Sequence, residues 1–139
     1  MGLWMVLTKL PKGIEYALKL LILLCLTTGR PMTAAAAARC AGIPPSQATK
    51  TLHFLSWAGL TRSRRGPKGG YLLRQSPDTI RVAQIVNLYK PNFDEDATSQ
   101  TDPLLRVWME TSSQLDSTWG QLTILELACR TANEWQIPV

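Results

Sequence analysis

A mainly α fold carrying one small β-hairpin wing is what this sequence predicts, and three observations predict it. Two short helical segments separated by a tight turn occupy residues 33–58. Directly after them, Thr61–Leu73 reads as two short strands joined by a basic, glycine-rich tip. Beyond an acidic stretch, a long apolar-striped helix follows from Pro103. The order implies a winged helix-turn-helix at residues 1–90, a loop at 91–102, and a dimerisation helix with a shorter C-terminal helix in 103–139.

Residues 1–10 read as a short irregular extension. Pro11 suits the first turn of a helix, because its missing N–H has no intrahelical partner there. The apolar run over 12–27 then forms that helix, with Tyr16, Leu20, Leu23 and Leu24 on one side, and Gly29-Arg30-Pro31 ends it. Thr33 is placed to cap a second, alanine-rich helix over Ala34–Ala41, and Gly42 to stop it in the left-handed conformation. Pro45 starts a third helix that runs to about Ala58 and stops at Gly59. In it, Ala48, Leu52 and Leu55 recur at i, i+4, i+7 and predict the buried stripe. Pro77-Asp78-Thr79 signals a fourth helix with Ile80, Ala83, Ile85, Val86 and Leu88, ending near Lys90. The long helix from Pro103 to about Trp119 carries Leu104, Val107, Trp108, Leu115 and Trp119 on one stripe, and Leu122–Ala132 forms the shorter last helix, with Leu125, Leu127 and Ala128. A small domain cannot fully cover the stripe of the long helix; pairing with a second copy is expected to bury it, the alternative being packing back on the first helix of its own chain.

Charge divides the chain. Residues 1–90 hold thirteen Lys or Arg against two acids, a net +11, whereas 91–139 hold two against eight, a net −6. That split predicts a nucleic-acid-facing half followed by a segment facing elsewhere. A hydrophobic content of 45% supports a packed core and argues against disorder. The three cysteines, Cys25, Cys40 and Cys129, are odd in number and far apart, so neither a disulfide framework nor a structural zinc site is expected. Leu20–Leu26 with the alanines behind it mimics a signal peptide, but the run is too short to span a bilayer. A cytoplasmic protein without membrane association is the expectation.

Two surfaces carry the chemistry. On the third helix Ser46, Thr49, Lys50 and His53 share a face, with Gln47 beside them, and that face has no acid. Gln47 has the amide geometry to bond adenine in two places, and Lys50 can donate to guanine. Polar helix faces are commonly only solvated; the hairpin behind this one raises its weight. There, four cations stand between Arg62 and Lys68 with no acid among them. Lysine and arginine displace counterions from a phosphate backbone, and a wing arginine suits a narrow, A·T-rich minor groove. Gly66, Gly69 and Gly70 allow close backbone approach.

These residues carry a resemblance. Leu10–Leu18 looks like an opening helix, Ala41-Gly42-Ile43 and Ala58-Gly59-Leu60 look like brackets around a recognition helix, and Arg65-Gly66-Pro67-Lys68-Gly69-Gly70-Tyr71-Leu72-Leu73 is similar to a wing. Together with the tail Leu122–Leu127, they resemble the bacterial winged-helix transcriptional regulators of the Rrf family (IscR/NsrR/CymR-like). The resemblance implies a sequence-specific DNA-binding regulator, with repression the expected mode, acting as a homodimer on a two-fold operator in double-stranded DNA. It maps DNA contacts onto Ser46, Gln47, Thr49 and Lys50 and the groove-entering arginine onto Arg65. Arg64, Lys68 and the backbone of Gly69 and Gly70 lie nearby, Lys9 and Lys12 are further candidates for phosphate, and His53 is a candidate for phosphate or base.

One departure from the pattern stands out. Cluster-binding members group three cysteines before the long helix, and residues 91–102 hold none. Some relatives use a glutamate and a histidine of the first helix as ligands. Glu15 matches the first, but Lys19 stands where the histidine would be needed. No iron–sulfur cluster and no metal site are therefore expected, and the small-molecule effector is not legible. Nor is an enzyme expected: His53 is the lone histidine, it has no carboxylate at helical spacing, and Gly66–Gly70 lacks the spacing of a nucleotide-binding loop. The alternative is a winged-helix protein-interaction adaptor without DNA binding, which has no need of a half charged +11.

Overall fold

The computed structural model describes residues 12–27, 29–89 and 121–131. The expected loop at 91–102 and the long helix at 103–119, with Leu104, Val107, Trp108, Leu115 and Trp119, lie outside the described residues, as does Lys9. The described elements run α1 (Lys12–Leu26), α2 (Ala34–Ala41), α3 (Pro45–Trp57), β1 (Thr61–Arg64), β2 (Gly70–Leu73), α4 (Val82–Leu88) and α5 (Ile124–Thr131). This is a mainly helical fold with a two-stranded antiparallel hairpin.

The sequence assigned α1 one apolar side; the structure uses two. Leu20, Leu23 and Leu24 pack with Ala37, Ala38, Ala41, Ala48 and Leu52 of α2 and α3. Ile14, Leu18, Leu21 and Ile22 pack on the other flank with Leu55, Leu60, Ile85, Val86, Ile124 and Leu127. A helix that is apolar all round is a central helix, and its neighbours are arranged about it. It also buries charge. Glu15 and Lys19 are 2% and 7% exposed, and the ammonium of Lys19 donates to Glu15 Oε1 at 2.8 Å, one helical turn away. Lys12 approaches the other carboxylate oxygen at 3.2 Å, an ion-pair contact on which no hydrogen bond closes.

Helix ends follow their residues closely. The Thr33 hydroxyl accepts from the Ala36 N–H at 3.1 Å and starts α2, and Gly42 ends it at φ 68°. Pro45 opens α3, where a missing N–H does no harm. Gly59, at φ 83°, turns the chain out of α3, and the Leu60 N–H returns to Leu55 O at 2.9 Å. Such a left-handed exit satisfies carbonyls that the last turn would otherwise leave bare.

Two expectations need correction. Pro77–Thr79 does not start the fourth helix. It forms a turn, in which the Thr79 N–H and hydroxyl both donate to Ser76 O at 2.9 and 2.6 Å, and the helix begins at Val82. Residues 80–81 stay extended because they pair with the C-terminal segment. The Ile124 N–H donates to Ile80 O at 2.8 Å, and the Val82 N–H to Leu122 O at 2.9 Å. For the same reason the last helix starts at Ile124 rather than Leu122, with the Thr123 hydroxyl accepting from the Glu126 N–H at 3.1 Å. Its buried stripe is Ile124, Leu127, Ala128 and Thr131, while Leu125 is exposed. That stripe lands on α1, so α5 belongs to the same core as the helices at the start of the chain.

No helix among the described residues is long and apolar enough to cross a membrane.

Candidate nucleic-acid interface

The face of α3 is fixed from beneath. Ala48, Leu52 and Leu55 are fully buried, as their spacing predicts, and hold the helix against α1 and α2. With that stripe anchored, helical geometry turns Ser46, Gln47, Thr49, Lys50 and His53 outward, and all five are exposed. Thr49 is partly committed. Its hydroxyl donates to Pro45 O at 3.0 Å, which leaves the oxygen available only as an acceptor.

The wing follows two residues after α3 is capped. β1 and β2 pair antiparallel, with Thr61 opposite Leu73 and Arg64 opposite Gly70. Thr61 is its root. That residue is 1% exposed, its hydroxyl bonds the Ser56 hydroxyl at 2.8 Å and donates to Leu52 O at 3.3 Å, and both partners belong to α3. The Arg74 N–H donates to Leu60 O at 2.9 Å at the other strand's end. These bonds tie the wing to the end of α3. From Arg62 to Lys68 every residue is exposed.

The wing glycines have an internal reason that the sequence reading did not find. Tyr71 exchanges two backbone hydrogen bonds with Met32, at 2.8 and 3.0 Å, so the hairpin leans on the segment entering α2. A Cβ on Gly70, at φ 151°, would come within 2.6 Å of the Met32 carbonyl carbon. One on Gly69 would collide with the Arg64 carbonyl oxygen. The backbone these two residues approach most closely is that of their own chain. Nothing local in the sequence signals Met32 as the partner, since the pairing spans 39 residues.

Electrostatically the surface is unbalanced. Among the described residues the ion pairs are Lys12–Glu15 and Lys19–Glu15. Lys50, Arg62, Arg64, Arg65 and Lys68 stand in water with no carboxylate among the described residues within 4 Å. Lys12 differs from them: exposed as it is, its ammonium already faces Glu15 at 3.2 Å.

The thiols lie elsewhere. Cys25 is buried on α1, and burial first, then the neighbouring Cys129 thiol, pushes its pKa up. Cys40 is half-buried on α2 and Cys129 exposed on α5.

Comparison with known proteins gives a consistent result. The Rrf2 family model, described as an iron-dependent transcriptional regulator, matches residues 10–130. A Synechocystis protein provisionally named HTH-type transcriptional regulator slr0846 is 29% identical over 136 residues, 92% of either chain. A similarly named protein of Aquifex aeolicus is 34% identical over 76 residues, 55% of this chain and 53% of its own, so the match spans about half of that relative. Among solved structures, the global cysteine regulator CymR of B. subtilis superposes with a TM-score of 0.69 at 25% identity, covering 88% of this chain and 98% of CymR. T. potens IscR superposes with a TM-score of 0.71 at 21% identity, covering 100% and 96%, and shows the shared fold.

The family description raises iron, and the donors among the described residues are not gathered to hold it. The three thiols and the single imidazole stand on four different helices, with Cys25 and Cys40 in separate core clusters and His53 exposed on α3. No three histidine, cysteine or acidic side chains among the described residues are grouped to hold a metal ion.

Proposed function

Because this chain belongs to the Rrf2 family of DNA-binding, winged-helix transcriptional regulators, we propose that it is a homodimeric repressor that reads a two-fold operator without a resident iron–sulfur cluster. The observation that carries the DNA-facing surface is the set of five exposed cations on α3 and the wing, none paired to an acid among the described residues. Unpaired cations of this kind are neutralised on binding by phosphates, with release of counterions. Ser46, Gln47 and Lys50 would read base edges in the major groove, and Arg65 would enter the adjoining minor groove. His53 and Thr49 add polar contacts on the same face. Arg64, Lys68 and the backbone of Gly69 and Gly70 hold the flanking strand.

Dimerisation is supported by how α1 is spent. Both of its flanks are taken, one by α2 and α3 and the other by α3, α4 and α5. An apolar stripe of Leu104, Val107, Trp108, Leu115 and Trp119, as the sequence spaces them, would then find its cover in a second copy, which would also give the two α3 helices the fixed spacing that a two-fold site requires. The absence of a cluster is supported by thiols and an imidazole placed on four different helices and by Lys19, whose ammonium already neutralises Glu15 at 2.8 Å. Repression follows if the operator overlaps a promoter.

The experiment is enrichment of bound fragments from the source genome by the full chain, followed by affinity measurements over a range of salt. A two-fold motif and a steep salt dependence are expected. Indifference to duplex DNA at low salt would favour the adaptor reading, and visible iron–sulfur absorbance in anaerobically purified protein would overturn the cluster-free one.

A further inference from the structure

The stripe that α3 turns outward does not end at His53. Trp57 follows Ser46 by eleven residues and Lys50 by seven, which at 3.6 residues per turn places all three on one face within an arc of about 40°. Its side chain is 80% exposed. It is also held in place. The indole stacks on Phe54 with centroids 6.0 Å apart and planes 25° from parallel, and Phe54 meets Tyr89 at 5.1 Å and 57°. Tyr89 in turn lies over Gly13, where a Cβ would come within 3.0 Å of the ring. Two rings in a row thus back an indole that faces water, which reduces the side-chain freedom to be lost when something covers it.

We propose that Trp57 is a DNA-backbone contact at the C-terminal end of the recognition helix, packing on deoxyribose and donating its indole N–H to a phosphate. This rests on the DNA-binding reading above and extends it to a residue of different chemistry. The helix is longer than the groove is wide: Ser46 to Trp57 spans about 16 Å along the axis, against roughly 12 Å for the major groove. When the amino-terminal end of a crossing helix reaches base edges, its far end stands over a sugar–phosphate strand. That strand offers what an indole needs, an apolar sugar face for the ring and an anionic acceptor for a group that only donates. The surroundings agree, because α3 carries no acid and Lys50 and His53 precede Trp57 on the same face.

The test uses the full chain and a duplex enriched by it from a random library. Trp57→Ala is expected to weaken binding about tenfold at every salt concentration. The slope of log Kd against log salt should stay unchanged, because no counterion is released by an uncharged contact. Trp57→Phe should recover part of the loss, since it keeps the ring and lacks the N–H. In protein labelled with 5-fluorotryptophan, the resonance missing from Trp57→Phe should move when duplex is added. Wild-type affinity in Trp57→Ala together with an unmoved resonance overturns the proposal. So does Trp57→Ala protein that sediments as monomer where the wild type is dimeric, which makes the indole a subunit contact instead. If the wild-type chain enriches no sequence and binds no duplex at low salt, the DNA-binding reading itself fails, an outcome distinct from failure at Trp57 alone.

Discussion

Lys19 and Arg65 are both cations in the basic half of the chain, and the structure treats them in opposite ways. Lys19 is sunk into α1 and donates to Glu15 at 2.8 Å, with the pair almost sealed from water. Arg65 stands at the wing tip, exposed and with no acid among the described residues beside it. A buried charge must find its counter-charge inside the fold, because desolvation without one is prohibitive. An exposed cation faces no such demand and can keep its counter-charge for a partner. Net charge alone treats the two as equal; burial separates a structural charge from a binding one.

The sharpest way to break this contrast is Glu15→Ala, which removes the carboxylate that Lys12 and Lys19 both face. Loss of about 3–5 kcal/mol is expected, measured as a fall in the urea midpoint, with the DNA affinity of the remaining folded protein unchanged. A change within error of zero would show that the pair is not structural. Gly70→Ala comes next, at about 1–3 kcal/mol for a strained backbone, since the new methyl meets the Met32 carbonyl at a φ of 151°. Thermal unfolding measures it, and faster amide exchange at Tyr71 would locate the damage at the wing root. Arg65→Ala inverts the pattern. Stability should hold within about 0.5 kcal/mol, while the salt slope of DNA binding falls by about one for a lost phosphate contact. Equal affinity for wild type and variant at all salts would remove Arg65 from the interface.

A smaller effect concerns alkaline pH. Burial pushes Tyr89 up to about 12, so the folded state holds its phenolic proton longer than the unfolded chain does. The stability this contributes is complete below the ordinary tyrosine pKa of about 10 and is lost as pH rises through about 12. Unfolding midpoints across that window should fall in the wild type and fall less in Tyr89→Phe.

Much of the local structure around the candidate site was readable from residues in order. Thr33, Gly42, Pro45 and Gly59 mark helix ends by local chemistry, and all four stand where that chemistry places them. The stripe of Ala48, Leu52 and Leu55 showed which face of α3 was buried, and hence that Ser46, Gln47, Thr49, Lys50 and His53 would be exposed. Trp57 was not singled out, because nothing local in the sequence says whether a tryptophan at the end of a helix is covered; the packing around it does.

Sequence by itself determined the elements whose signals are local: caps, helix faces, the basic hairpin, and the concentration of positive charge in residues 1–90. Tertiary structure alone decided the rest. It made α1 a two-sided central helix, kept residues 80–81 extended to pair with 122–124, and gave Gly69 and Gly70 their reason in Arg64 and Met32. It also separated Lys19 from Arg65. Each of these depends on contacts between residues distant along the chain, where burial and backbone pairing outweigh local preference.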